Sequence, residues 1–218
     1  MTASNQRPLL RGYLHAGAAF AAALGGTYLV VLSSADRPRQ LSMLVYGIGL
    51  ILLFSVSALY HVHAWAPARR AILRRIDHAN IFVLIAATYT PLAFNVLSGW
   101  WRVGVLGAVW GVALAGVGTA VAGVQLRRWA RAGLYVGMGW IALAAVGQIA
   151  AALPWPAIAL LIGGGLLYSA GALFYARRWP DPWPRVFGYH EVFHLLTVAA
   201  AVAFYVLVLV YVLPAPRP

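Results

Sequence analysis

Seven runs of about twenty mostly apolar residues succeed one another along this chain of 218 residues, roughly at 13–33, 42–63, 79–97, 103–124, 133–152, 157–176 and 190–212. A helix rises 1.5 Å per residue, so about twenty residues cross a hydrocarbon layer of about 30 Å. Backbone groups in that layer find no water, which leaves helices or a closed barrel as the only spanning structures. Runs this long and this apolar are helices. The expected fold is all-α: a polytopic membrane protein built as a seven-transmembrane helix bundle, one domain over residues 1–218. The first run has the length of a span and no convincing cleavage signal after it, so it is expected to be retained.

The segments between the runs are short and rich in Pro, Trp and Arg: SADRPRQ, AWAPARRAILRR, SGWWR, QLRRWAR, PWP and RRWPDPWPRVFGY. Such residues mark helix ends at a membrane interface. The net charge of +12 comes from arginine alone. In a soluble protein it would suggest nucleic acid. Here the arginines sit between apolar spans, where they report topology and contact with anionic lipid. Arg7, Arg11, Arg69, Arg70, Arg74, Arg75, Arg127, Arg128, Arg131, Arg177, Arg178 and Arg185 fall on one side of a seven-span chain. Only Arg37, Arg39, Arg102 and Arg217 fall on the other. The expected orientation puts the N-terminus in the cytoplasm and the C-terminus outside.

Ionisable groups are scarce, and an apolar helix is a costly place for them, so those within spans point to function. The last span opens with His190-Glu191-Val192-Phe193-His194. Positions i and i+4 share a helix face, so both imidazoles can reach one metal ion. His61 ends the second span, in Ser57-Ala58-Leu59-Tyr60-His61, and Asp77 opens the third, in Arg75-Ile76-Asp77-His78. In seven alternating spans these groups all lie at one level. Three imidazoles without any cysteine suit a zinc site with an open fourth position for water, which is a catalytic arrangement. Metal lowers the pKa of such a water to about 7. Asp77 could take a proton from it, orient it, or bond the free N–H of a ligand histidine. Ser57, one turn before His61, could bond a substrate carbonyl or the water.

Glu191 completes an HExxH pattern, in which a protease would use the glutamate as general base. Here Glu191 lies about 100° off the His190/His194 face, and no distant carboxylate ligand stands in the required context. It is expected to favour the helix N-terminus electrostatically. His63 and His78 point elsewhere by spacing and are expected at the interface, and His15 is given no place. Asn80, Thr88, Tyr89, Thr90 and Pro91 are read as packing around a proline kink, the polar groups covering the freed carbonyls.

SALYH, RRIDHANIFVLIAATYTPLAF and GYHEVFHLL together resemble the haemolysin III family. That family is the bacterial branch of the progestin and adipoQ receptors (PAQR), which include the adiponectin receptors. The resemblance covers essentially the whole chain. It implies seven helices and a zinc ion on His61, His190 and His194, with Asp77 near the water and Ser57 one turn before the first histidine. It also implies a cytoplasmic amino terminus and zinc site in a bacterial inner (plasma) membrane. One departure is visible. Many bacterial members carry Glu-x-x-Asn-x-x-Thr-His before the first span, whereas Pro8-Leu9-Leu10-Arg11-Gly12-Tyr13-Leu14-His15 keeps only the histidine.

The functional expectation is a zinc-dependent hydrolase of a lipid amide or ester, ceramidase-like, at the cytoplasmic face and serving membrane lipid homeostasis. Its partner is a membrane lipid substrate or ligand, not nucleic acid; no protein partner is indicated. The alternatives are a non-enzymatic sensor or receptor of membrane state with structural zinc, and a cytolytic pore.

Overall fold

The computed structural model describes residues 8–218; Arg7, counted above for topology, lies outside them. Among the described residues the chain is helical, with one isolated bridge between Trp183 and Phe187 and no strand. Seven helices are long and apolar enough to cross a membrane. They are α1 (Tyr13–Leu32), α2 (Arg37–Val62), α3 (Pro67–Val96), α4 (Gly99–Val121), a fifth span in two pieces, α7 (Trp155–Arg177) and α8 (Tyr189–Leu207). A π-turn, Val208–Val212, continues α8 to the end of its span. The pieces of the fifth span are α5 (Arg128–Gly139) and α6 (Val146–Ala152), joined by a 3-10 turn at Ile141–Ala145.

Two helices begin well before the points where hydropathy places them. Asp36 caps α2 by accepting a hydrogen bond from the Arg39 amide, and α2 starts at Arg37 rather than 42. Pro67 takes the first turn of α3, where its missing N–H costs nothing. Ala, Arg, Ile and Leu then carry that helix through 68–76, because all but isoleucine rank among the best helix formers. Arg69, Arg70, Arg74 and Arg75 depress the hydropathy and conceal the extension. Asp77 therefore does not open the third span. It sits ten residues into α3, about 15 Å along the axis.

Close packing rests on small residues. A Cβ on Gly26 would stand 3.0 Å from the Gly47 Cα, so α1 and α2 touch backbone to backbone. A Cβ on Gly49 would come within 2.4 Å of the Ala87 Cβ, which fixes the approach of α2 to α3. The proline in α3 does not end the helix. Thr88 and Thr90 donate to the carbonyls of Leu84 and Ala86, and Asn95 donates to that of Pro91. The carbonyl that Pro91 frees, at Ala87, is thus not the one the threonines cover.

The break in the fifth span has a specific cause of stability. Tyr89 of α3 donates its hydroxyl to the Gly139 carbonyl at 2.6 Å and accepts from the Ala142 amide at 2.8 Å. One side chain thus satisfies both sides of an interrupted helix at a depth where water cannot. Beside the break lies a cavity of about 200 Å³ between α3, the fifth span, α7 and α8.

Two outcomes test this arrangement. The chain has no cysteine, so single cysteines report topology cleanly. Cysteine at exposed Ser34 should react with an impermeant maleimide on intact cells, and at exposed Gln125 only after permeabilisation. Gly49→Ala should destabilise the detergent-solubilised protein by about 1–3 kcal/mol through overpacking. Gly104→Ala, with open space around its Cβ, should leave the melting temperature unchanged or slightly raised.

Candidate metal centre

Helix periodicity does the first part of the assembly. Ser57 and His61 lie one turn apart on α2, and His190 and His194 one turn apart on the first turns of α8. Because α2 and α8 run in opposite directions, the end of one meets the start of the other. The Nε2 atoms of His61 and His190 are 3.2 Å apart. The ring centroids of His61 and His190 are 4.6 Å apart, those of His190 and His194 4.6 Å, and those of His61 and His194 5.0 Å. One nitrogen from each ring lies within 4.8 Å of the other two. Tetrahedral zinc with bonds of about 2.0–2.1 Å sets its ligand nitrogens about 3.3 Å apart. The closest pair already has that spacing, and small ring rotations bring in the third. The donor set therefore fits a metal ion and, with nitrogen ligands only, a zinc-like one.

Asp77 completes the cluster from α3. Its Oδ2 is 4.0 Å from His61 Nε2, and the Ser57 hydroxyl faces the same carboxylate. Neither Arg74 nor Arg75 pairs with it; Arg75 instead donates to the Val121 carbonyl. Ser57, Asp77, His190 and His194 all line one end of the cavity described above. The rest of its wall is mostly apolar, from residues such as Leu84, Ile149, Leu161 and Phe204.

A sequence profile described as "Haemolysin-III related" matches residues 3–205. The chain belongs to the haemolysin III family. A "Hemolysin-3 homolog" of Bacillus subtilis (strain 168) is 31% identical over 175 residues, 80% of this chain and 79% of that protein. "Heptahelical transmembrane protein ADIPOR2" of Oryza sativa subsp. japonica is 32% identical over 181 residues, 76% and 79% of the two chains. "Monocyte to macrophage differentiation factor" of Homo sapiens is 25% identical over 216 residues, 94% and 84%. The relatives thus extend from bacterial haemolysin III proteins to the PAQR-like proteins of plants and animals.

In this haemolysin III chain Glu191 is engaged elsewhere. It is wholly buried. Its Oε1 accepts from Arg11 Nε at 2.7 Å and its Oε2 from the Gly188 amide at 2.9 Å. The second bond is the helix cap expected of a glutamate in the first turn. The first was not legible: it joins residues 180 apart in sequence. Each oxygen is engaged by a group outside the histidine cluster, which does not suit the general-base role that an HExxH protease gives its glutamate.

Arg11 and its neighbours form a strap across the base of the site. Leu9 and Leu10 donate backbone bonds to the carbonyls of Arg185 and Val186. Gly12 has φ 86, and a Cβ there would sit 2.9 Å from His61 Cβ. Only glycine suits both the left-handed backbone and the contact. His15, unplaced by sequence, is 2% exposed and stacks on His194, with centroids 3.8 Å apart and planes 10° apart. Its edge contact with Phe54 is 5.1 Å. His15 is the one residue retained from the family's pattern before the first span, and that retention was the only signal for it.

Of the two histidines expected at the interface, His63 is exposed at the end of α2 and touches Trp65. His78 has a more specific place than spacing indicated. It is half-buried in the cavity wall, with its ring 2.8 Å from Arg131 Nη1. Spacing along α3 alone could not show this contact, because its other half, Arg131, comes from α5.

Arg11→Ala should leave the Glu191 carboxylate buried without its cation and destabilise the protein by about 3 kcal/mol. Arg11→Ala combined with Glu191→Gln should recover part of that loss, read as a rise in melting temperature over the single variant.

Proposed function

We propose that this protein is a zinc-dependent hydrolase of a lipid amide or ester, acting at the cytoplasmic face of a bacterial inner membrane in lipid homeostasis. One observation carries the reading. A three-imidazole cluster, a carboxylate and a hydroxyl stand together at the end of an otherwise apolar cavity within a membrane protein. A structural site would have no need of a cavity, and a simple lipid pocket would have no need of three buried imidazoles.

Zinc held by His61, His190 and His194 would supply Lewis acidity to a carbonyl oxygen and to water. The chain's own groups do the rest. Asp77, close to His61 without a short bond to it, takes a proton from water entering the site. Ser57, beside Asp77 in the cavity wall, is placed to bond the carboxylate, the water or a substrate carbonyl. Hydrolysis adds one water across the acyl bond. Its oxygen bonds to the acyl carbon, the C–N or C–O bond breaks, and the proton held by Asp77 passes to the departing amine or alcohol. The apolar walls take the acyl chain and keep bulk water out. The ring of His15 packs against one face of the His194 imidazole, with centroids 3.8 Å apart, and limits how far that ring can swing.

Metal analysis of detergent-purified protein, prepared without chelator, tests the centre. Wild type and Asp77→Asn should each carry near-stoichiometric zinc, and His61→Ala and His194→Ala should lose it. With acyl amides and esters as substrates, Asp77→Asn should lower turnover by at least about 100-fold. Wild type without metal would overturn the reading. Metal present with no turnover of any acyl lipid would favour a sensor whose zinc only ties α2 to α8.

A further inference from the structure

The cavity has a second polar feature, away from the histidines. Arg128 and Arg131, from the first turn of α5, both line it. Arg131 donates to the ring of His78 at 2.8 Å and to the Leu126 carbonyl at 3.2 Å. An imidazole that accepts from a guanidinium does so as the neutral ring, so His78 supplies no countercharge. Arg128 lays its guanidinium over the Tyr175 ring, 5.5 Å from the centroid. Its Nη1 is buried and has no hydrogen-bond partner among the described residues.

No carboxylate is available to these two cations. The chain has four acidic residues, Asp36, Asp77, Asp181 and Glu191. Asp36 pairs with Arg39 and Arg217, and Glu191 with Arg11. Asp181 accepts from the Tyr189 amide, and Asp77 stands beside His61. A buried guanidinium hydrogen without an acceptor is costly. Two cations on one apolar wall without a counter-ion are costlier still, unless a ligand brings the negative charge. Arginine is suited to that task because its planar fork matches carboxylate and phosphate oxygens.

The position of the pair narrows the ligand. Tyr175 carries Arg128 on its face and meets the His190 ring edge-on at 5.6 Å. His78, the partner of Arg131, follows Asp77 directly in α3. The cations are therefore about one side chain removed from the proposed reacting centre.

We infer that Arg128 and Arg131 bind an anionic group on the polar end of the lipid, a carboxylate or phosphate carried by the leaving group of the cleaved acyl bond. The preferred substrates are acyl amides or esters with a charged head, not neutral ones. This inference rests on the hydrolase reading for the word substrate, but the binding site stands without it.

Matched probes test it: N-dodecanoylglycine, N-dodecanoylethanolamine and the phosphate ester of the latter, which share chain and amide and differ in charge. Binding is measured by titration calorimetry in neutral detergent, in an Asp77→Asn background so that no probe is consumed. The two charged probes should bind at least about tenfold tighter than the neutral one. That preference should shrink to within about twofold in Arg128→Gln/Arg131→Gln and survive in Arg127→Gln, whose arginine is exposed one residue away. Arg128→Lys/Arg131→Lys should keep part of it, which guards against a glutamine variant that fails to fold. Inorganic phosphate at millimolar concentration should displace N-dodecanoylglycine no better than chloride does; stronger displacement would overturn the lipid assignment in favour of a free anion.

Equal affinity for charged and neutral probes, or a preference that outlives the loss of both arginines, would overturn the inference. Charge preference without cleavage of any probe by wild type would remove the hydrolase reading and leave the anion site. Cleavage with equal affinity for all three probes would do the reverse.

Discussion

Hydrocarbon offers nothing to a polar side chain, and the rest of this structure follows from how the chain meets that condition. Three imidazoles from α2 and α8 converge on one point, close enough together for one metal ion to satisfy all of them. Glu191 is matched by Arg11 and by the amide of its own helix cap. Gly139 and Ala142, on either side of an interrupted helix, are matched by one tyrosine hydroxyl. Each solution joins elements distant in sequence. The polar contacts therefore fix which helices are neighbours, while glycine and alanine fix how closely they approach.

Much of this was legible. Seven apolar runs give seven spans because hydropathy at this length has few other physical meanings. The i, i+4 spacing on α8, together with alternation of direction, places His61 beside His190 and His194 with no knowledge of packing. What escaped were contacts whose two halves each have an ordinary explanation. Arg11 reads as a topology signal and Glu191 as a helix-start charge, and nothing local says that they meet. The contact of His78 with Arg131 joins α3 to α5, and neither residue alone announces it. Tyr89 looked like packing, since a break in the fifth span leaves no trace when Gly139-Trp140-Ile141-Ala142 is as apolar as its flanks. Arg128 and Arg131 resemble any other arginine at a membrane surface until a cavity is found behind them.

The strap of residues 8–12 bears on how this chain departs from its family. Against the family's pattern before the first span, the glutamate position here is Pro8, the asparagine position Arg11 and the threonine position Leu14. The arginine reaches Glu191 and Gly12 lets the backbone lie against His61. This segment thus touches both helices that carry the histidine cluster, through Glu191 and His61, and His15 stacks on the ring of His194.

The first and last spans meet at this site, and that orders its biogenesis. His61 is inserted early, but His190 and His194 arrive with the final span, and Arg11 waits 180 residues for Glu191. No partial chain on the ribosome holds more than one of the three imidazoles until α8 emerges. A complete three-imidazole site consequently exists only once the last span has been made, so any metal that needs all three ligands would bind after every other helix has been synthesised.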